Sequence, residues 1–371
     1  MLVDTVSIWV AVAAGVFIFV LFSLTRINYL RFKSLKQEAA RQAKEDELDV
    51  TVIIPARNEE RVIANCVKSL PKLVRVIVVN DHSDDGTAKR AEDEGVEVLH
   101  LPPVKRNTVG KAAACFFGSE HVKTKYILFV DADTRFKPEF LPTLIGYANA
   151  NSLAMVSLLL KRQHPNFLSA MFMPYAYAMY FAGVSQKNVH SLHLMKWKNA
   201  LASGHCILFR ADAYAFTGGH RSIINEVLDG IELGALAKRH RLKFEIMRGE
   251  RLGSVRMYES SVDTMRGFQK NTMRLLSYNR LSALMSVLTT LAPLIYIPVL
   301  LGLWTDIEED WVVQTMAVFA VVPFLPLLAW YPNLLRWVLT PLIAYLFPML
   351  MLNCVVRWLM GGKAVWKGRK V

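Results

Sequence analysis

Two carboxylates one residue apart, Asp131 and Asp133, close the apolar run at residues 126–130, Tyr-Ile-Leu-Phe-Val. A strand that carries hard oxygen ligands to its tip suits Mg2+ or Mn2+, which take one or two carboxylates and complete their shells with water and substrate phosphates. A turn or helix cap would account for Asp133 but needs no second acid at Asp131. Side chains two apart on a strand stand roughly 6.6 Å apart along it, so gathering both acids on one ion is expected to need a bend after Val130. Upstream, Gly110-Lys111 opens a helical pattern after a loop rich in Lys, Arg and Pro. That would bring a cation and open backbone N–H groups to one place, an arrangement suited to phosphate, with a solvated lysine as the plain alternative.

Two further polar clusters follow apolar runs: Pro55-Ala56-Arg57-Asn58-Glu59-Glu60 and Asn80-Asp81-His82-Ser83-Asp84-Asp85-Gly86-Thr87. Neither is a GxGxxG or Walker sequence, which excludes the ordinary dinucleotide and P-loop readings. In the second cluster Asp85-Gly86 supplies turn chemistry and Thr87 an expected N-cap. Asp81, at a strand tip, is placed to accept a hydrogen bond from a base or ribose. Arg57 and Glu59 are either ligand residues or surface and capping residues.

The elements that must position these groups alternate short β-branched runs with helical patterns, which is how a parallel α/β sheet reads. Strands are expected at 50–54, 74–80, 96–99 and 126–130, with helices at 59–70, 87–94, 110–120 and 138–150. Right-handed crossovers then bring the polar clusters to the carboxyl edge of the sheet, where open α/β sheets bind ligands.

With 371 residues, 53% hydrophobic content and a mean hydropathy of +0.27, the chain reads as a membrane protein with a soluble middle. Residues 5–25 carry no charge and are long enough, at about 1.5 Å per residue, to cross roughly 30 Å of hydrocarbon. No basic stretch precedes them, whereas Arg26, Arg31, Lys33 and Lys36 follow, so the segment reads as a retained anchor with the next residues cytoplasmic. Residues 281–305, 311–335 and 337–356 are also uncharged. Three spans after an outside-in anchor would leave the basic tail outside; the prolines in the last two segments instead point to one that does not span. The expected organisation is an anchor at 1–30, a catalytic domain at 46–280, membrane helices at 281–360 and a basic cytoplasmic tail at 361–371, in a multi-pass cell-membrane protein. Within the domain, uncharged residues 166–186 contain Pro174, Tyr175, Tyr177 and Tyr180 and read as an interfacial helix, with a buried core helix as the alternative. The formal charge of +13 lies mainly beside apolar segments, so anionic lipid headgroups are expected as partners and nucleic acid is not. Cys66, Cys115, Cys206 and Cys354 form no CxxC pair, which disfavours a zinc site or a disulfide framework.

Taken in order, the clusters at 54–60, 79–81 with 83–87, 110–111 and 129–133 resemble those of the family 2 glycosyltransferases. The resemblance implies an α/β GT-A fold with a mostly parallel central sheet that binds a nucleotide sugar, usually a UDP-sugar. Asp229-Gly230 with Leu233-Gly234, Gly218-Gly219-His220, Arg256-Met257-Tyr258 and Trp366-Lys367-Gly368-Arg369 extend the likeness to bacterial glycosyltransferases of carotenoid acids, of the 4,4'-diaponeurosporenoate type. Position by position, it implies nucleotide contacts at Pro55, Ala56, Arg57, Glu59 and Asp81 with Lys111 nearby, Asp131 on the ribose or sugar side, and Asp133 on the diphosphate-bound metal. It further implies inverting transfer of one sugar, glucose in this reading, to a lipid acceptor in the membrane.

Two departures from the family pattern bear on the acceptor half. The adjacent Glu-Asp pair that supplies a base is replaced by Asp229-Gly230, leaving Asp229 as the expected base, with Glu226 and Glu232 as alternatives and a helix-start acid as the plain reading. An acceptor that is a carboxylic acid, ionised near neutral pH, would need little base. The Gln-x-x-Arg-Trp motif of processive synthases is replaced by Gln269-Lys270-Asn271-Thr272-Met273-Arg274, so the tryptophan platform for a growing sugar chain is missing.

Overall fold

The computed structural model describes residues 2–36, 48–103, 110–181, 202–278, 296, 322–331, 334–362, 365–366 and 369–370. Two compact units divide the chain. One comprises Met1–Arg31, His164–Ser185 and Tyr258–Val371, and the other Phe32–Gln163 and Gln186–Met257.

The second unit is built on a seven-stranded sheet. Its strands are β1 (Val50–Ala56), β2 (Arg75–Asn80), β3 (Glu97–His100), β4 (Tyr126–Val130), β6 (Met155–Leu159), β8 (Cys206–Arg210) and β9 (Phe244–Arg248), in the order β3-β2-β1-β4-β8-β6-β9. The pairings of β3, β2, β1 and β4 are all parallel, while β8 runs antiparallel to both β4 and β6. Strands covered on both faces read as unbroken apolar runs. Accordingly Val52, Ile53, Ile54, Val78, Val79 and Leu128 are fully buried. Helices α2 (Ile63–Lys68), α3 (Thr87–Glu92), α4 (Gly110–Ser119) and α5 (Phe140–Ala150) connect or follow these strands. A smaller sheet joins β5 (Thr134–Phe136), β10 (Gly253–Arg256) and β7 (Lys161–Gln163) in the order β5-β10-β7.

Two expected boundaries shift for a common reason. The helix expected from residue 59 starts at Ile63, because the Glu59 N–H donates to Thr87 Oγ1 (2.8 Å) and the Glu60 N–H to Asp85 Oδ2 (3.3 Å). Thr87 is not an N-cap but the first residue of α3; its own N–H donates to Asp85 Oδ1 (3.1 Å). The loops after β1 and β2 are therefore pinned to each other, with Asn58 N–H on Ser83 Oγ (3.1 Å) and Asp84 N–H on Asn58 Oδ1 (2.9 Å).

The first unit contains α1 (Leu2–Arg31), α6 (Phe167–Tyr180), α9 (Ser261–Tyr278) and α11 (Leu334–Leu359), with the short α10 (Leu325–Leu328) between them. Ile18 and Phe22 of α1 pack with Met171, Phe172 and Tyr175 of α6 and with Ile343, Phe347 and Met351 of α11. Phe22 meets Tyr175 edge-on at 5.4 Å, and Tyr331 Oη donates to the Met171 carbonyl (2.7 Å). The segment read as interfacial thus carries side chains buried inside this bundle, while Phe167 at its start is exposed. Among the described residues one helix is long and apolar enough to cross a membrane, at Trp9–Arg31. The segment expected at 281–305 lies outside the described residues apart from Tyr296, as does most of 311–335.

Leu128 sits at the centre of β4 with no exposed surface. Leu128→Ala should cost about 2–5 kcal/mol through the lost transfer energy and the cavity left behind. Chemical denaturation of the detergent-solubilised chain checks this against the wild type.

Candidate active site

The carboxyl edge of the parallel strands collects the site from separate elements. At the end of β4 the chain turns at once: the Asp131 carbonyl accepts both the Thr134 N–H (3.1 Å) and the Thr134 hydroxyl (2.7 Å). The chain thus leaves strand geometry directly after Val130. The Asp131 N–H donates to the His205 carbonyl (3.2 Å), which joins the turn to the residues leading into β8. Asp133 lies in the same turn, and its carbonyl accepts the Arg256 N–H (2.9 Å).

Lys111, in the first turn of α4, reaches across this edge. Its Nζ lies 2.7 Å from Asp131 Oδ1 and 2.8 Å from Asp229 Oδ2, and it donates to the Gly204 carbonyl at 3.2 Å. An ammonium has three donors, and these three partners match them. Asp229 is the first residue of α8 (Asp229–Arg239), so the helix start and the site residue are one and the same. Burial pushes the Asp229 carboxyl up, but Lys111 outweighs it and holds the group below the usual carboxylate range. Burial likewise opposes the Lys111 ammonium, yet Asp131 and Asp229 hold it above the usual lysine range. The Asp131, Lys111 and Asp229 expected at the site are thus brought together. Neither Glu226 nor Glu232 is among the acids paired with Lys111.

A second group forms where β1 and β2 end. Arg57 Nη1 donates to the Asp81 carbonyl (3.1 Å) and lies 4.0 Å from Asp81 Oδ1, while the Asp81 N–H donates to the Ala56 carbonyl (2.8 Å). Pro55 and Ala56 belong to the end of β1 itself, pairing with Val79 and Asn80. The Glu59 carbonyl accepts the Val62 and Ile63 N–H groups at the start of α2 (both 3.0 Å), so the backbone of Glu59 has a folding role.

Sequence reasoning missed the loop before β8. Ser203 Oγ pairs with His205 Nδ1 (2.9 Å), and the Ser203 N–H donates to Ser157 Oγ on β6 (2.8 Å). Burial pushes the His205 imidazole down to about 4, against the pull of the nearby Asp131 carboxylate. Only the Gly204-His205 pair ahead of an apolar run signals this loop, and nothing in that pattern separates it from an ordinary turn.

No group of three or more His, Cys, Asp or Glu side chains able to hold a metal occurs among the described residues. The donors that the turn does offer, Asp131 and Asp133, are hard oxygens. They fit a Mg2+ or Mn2+ ion whose remaining ligands come from a diphosphate and water, and do not fit an all-protein cage.

Residues 51–216, which run from β1 through the turn at Asp131 to the helix after β8, match the sequence model of Glycosyl transferase family 2. The chain carries a glycosyl transferase family 2 domain. Among curated relatives it is similar to a protein of Staphylococcus haemolyticus named 4,4'-diaponeurosporenoate glycosyltransferase, 30% identical over 227 residues that cover 58% of each chain. A protein of the same name from Staphylococcus aureus is 29% identical over 266 residues, covering 70% of this chain and 67% of the relative. The match thus spans between half and two thirds of the length of these relatives. A solved mannosyltransferase from Pyrobaculum calidifontis, in complex with GDP-Man and Mn2+, aligns over 96% of this chain and 99% of its own with a TM-score of 0.56. At 13% identity that likeness shows a shared fold, a GT-A-like α/β architecture, and no more.

Beside this domain's matched segment, the glycine where an acid of the Glu-Asp pair was expected has a steric cause. A Cβ on Gly230 would stand 2.4 Å from the Gly204 nitrogen and 2.5 Å from the Ala202 carbonyl oxygen, closer than real Cβ atoms come to backbone. Gly204 faces the same contact from the other side, where a Cβ would stand 2.6 Å from Asp229 Oδ1. No side chain fits at residue 230 while Lys111 holds both Gly204 and Asp229. Gly230→Asp should therefore lose about 1–3 kcal/mol of stability by overpacking and gain no transferase activity, as denaturation and an activity assay would register.

His220, fully buried with its Nδ1 2.9 Å from Tyr214 Oη, predicts a pH effect. Burial lowers its pKa from 6.5 to about 4. The unfolded chain takes up this proton near pH 6.5 and the folded chain does not. Stability should hold above that pH and fall by about 1.4 kcal/mol per unit as the pH drops towards 4. Denaturation across that range should show a shallower slope for His220→Gln.

Proposed function

We propose that the chain is an inverting glycosyltransferase that moves a single sugar, glucose, from a UDP-sugar to a lipid acceptor held in the membrane, such as a carotenoid acid. The observation that carries this reading is Lys111 held between Asp131 and Asp229 at the carboxyl edge of the sheet. One cation among three carboxylates leaves the site net negative, which suits a divalent metal ion that would in turn neutralise a diphosphate. The names of the staphylococcal relatives support a carotenoid-acid acceptor.

In this reading Arg57, Glu59 and Asp81, with Pro55 and Ala56, border the base and ribose, Asp131 faces the ribose or sugar, and Asp133 would hold the metal. A bound Mg2+ or Mn2+ would supply charge neutralisation to the leaving diphosphate. The acceptor oxygen attacks C1 of the sugar as the bond from C1 to the β-phosphate oxygen breaks, and the nucleoside diphosphate leaves with that electron pair. Lys111 keeps Asp131 and Asp229 in place around the reacting groups.

Asp229 is the acid in place to act as base. Its tie to Lys111 keeps it ionised, and the closed contact at Gly230 leaves no room for a second acid beside it. An acceptor that arrives as a carboxylate needs no proton removed, which agrees with this economy of acids. The same site would serve a polyprenyl phosphate, also an anion, and product analysis separates the two. A non-catalytic nucleotide-binding scaffold is the reading that an inactive wild type would favour.

Membrane placement rests on apolar surface. Trp9, Val16, Phe19, Val20, Leu24 and Ile27 of α1 are exposed, as are Leu342, Leu346, Met349 and Leu352 of α11. Rows of such side chains are at home against lipid and are costly in water. We read the chain as a multi-pass protein of the cell membrane, with the domain at 46–280 cytoplasmic, membrane helices within 281–360 and a basic tail at 361–371 near anionic headgroups.

Asp133→Ala should abolish transfer from labelled UDP-glucose to membrane lipid while leaving thermal unfolding unchanged, and chelation of divalent ions should do the same to the wild type. An active Asp133→Ala variant indifferent to chelator would refute the reading.

A further inference from the structure

Five non-glycine residues have positive φ: Asn58, His82, Ser152, Arg241 and Tyr258. Ser152 and Arg241 end helices in the left-handed conformation that commonly terminates them, with Leu153 N–H returning to the Ala148 carbonyl and Leu242 N–H to the Ala237 carbonyl (both 2.9 Å). Asn58 uses its bent backbone to offer Oδ1 to the Asp84 N–H. His82, at φ 52, follows a strand tip and ends no helix. In this region a β-carbon crowds the neighbouring carbonyl and glycine is the relaxed choice. An imidazole kept there points to a use for the side chain.

That use is visible in its partner. His82 Nδ1 lies 3.2 Å from Asp81 Oδ1; the carboxylate only accepts, so Nδ1 carries the hydrogen. The imidazole is 42% exposed, whereas the Asp81 side chain is 6% exposed. The Asp81 backbone is held separately, its N–H on the Ala56 carbonyl and its own carbonyl on Arg57, whose guanidinium lies 4.0 Å from Oδ1. The main chain of Asp81 is thus held by Ala56 and Arg57, and its carboxylate accepts a hydrogen bond from His82.

We propose that His82 is a positioning residue for the donor nucleotide: by donating Nδ1–H to Asp81 it fixes the orientation in which that carboxylate accepts an N–H of the base or a hydroxyl of the ribose. This rests on the reading that the edge formed by β1 and β2 binds a nucleotide. Folding alone favours glycine at this position, so binding and stability should respond in opposite directions.

Two variants separate these effects in the full-length chain in detergent. His82→Gly relaxes the backbone and removes the donor; His82→Asn tolerates positive φ and keeps a side-chain N–H. Calorimetry with UDP and Mn2+ should show His82→Gly weakened about tenfold, the weight of one hydrogen bond to a charged group, with an unfolding midpoint equal to or above that of the wild type. The loss should fall on KM for the donor more than on kcat, and His82→Asn should recover most of the affinity. His82→Gly binding UDP as tightly as the wild type would overturn the proposal alone, as would affinity and unfolding midpoint falling together. A wild type that binds no UDP would overturn the nucleotide reading with it.

Discussion

One half-buried cation, Lys111, organises the unit built on the seven-stranded sheet. Lys111 satisfies its three donors on Asp131 at the end of β4, Asp229 at the start of α8 and the Gly204 carbonyl ahead of β8. Each partner comes from a different part of the chain, so the ammonium can be accommodated only when the sheet is complete. The two carboxylates in turn tolerate burial because the cation lies between them; removing one member would leave uncompensated charge in a desolvated place.

The backbone around this triad follows from the same constraint. For the Gly204 carbonyl to reach Lys111 while Asp229 does so from the other side, the loop before β8 and the first turn of α8 must approach within backbone contact, and glycine at 204 and 230 permits it. The antiparallel insertion of β8 between β4 and β6 delivers that loop to the carboxyl edge of β4. An otherwise parallel sheet would place the corresponding loop at the opposite edge.

The polar residues after β1 and β2 divide between folding and ligand roles more unevenly than their composition implies. Asn58, Ser83, Asp85 and Thr87 hydrogen-bond one loop to the other, and Glu60 accepts the Gly86 N–H (3.2 Å). What stands at the strand tips is a smaller set, Arg57 and Asp81 with His82. The rigid cross-linking of the two loops keeps that set in place, since a carboxylate meant for a ligand cannot also move to satisfy the loop.

Local pattern determined the four parallel strands, the turn after Val130 and the clustering of acids and cations at one edge, because buried strands demand continuous apolar runs and polar residues are tolerated only where those runs stop. It also marked residues 5–25 as apolar enough to cross a membrane, a property of composition that needs no fold, and the helix found apolar enough at Trp9–Arg31 overlaps them. The tertiary structure alone decided which acids pair with Lys111, why residue 230 carries no side chain, and that a histidine in a left-handed conformation donates to Asp81. These depend on approaches between segments far apart in the chain, over distances of a few ångströms, and residue spacing along a sequence holds no record of such distances.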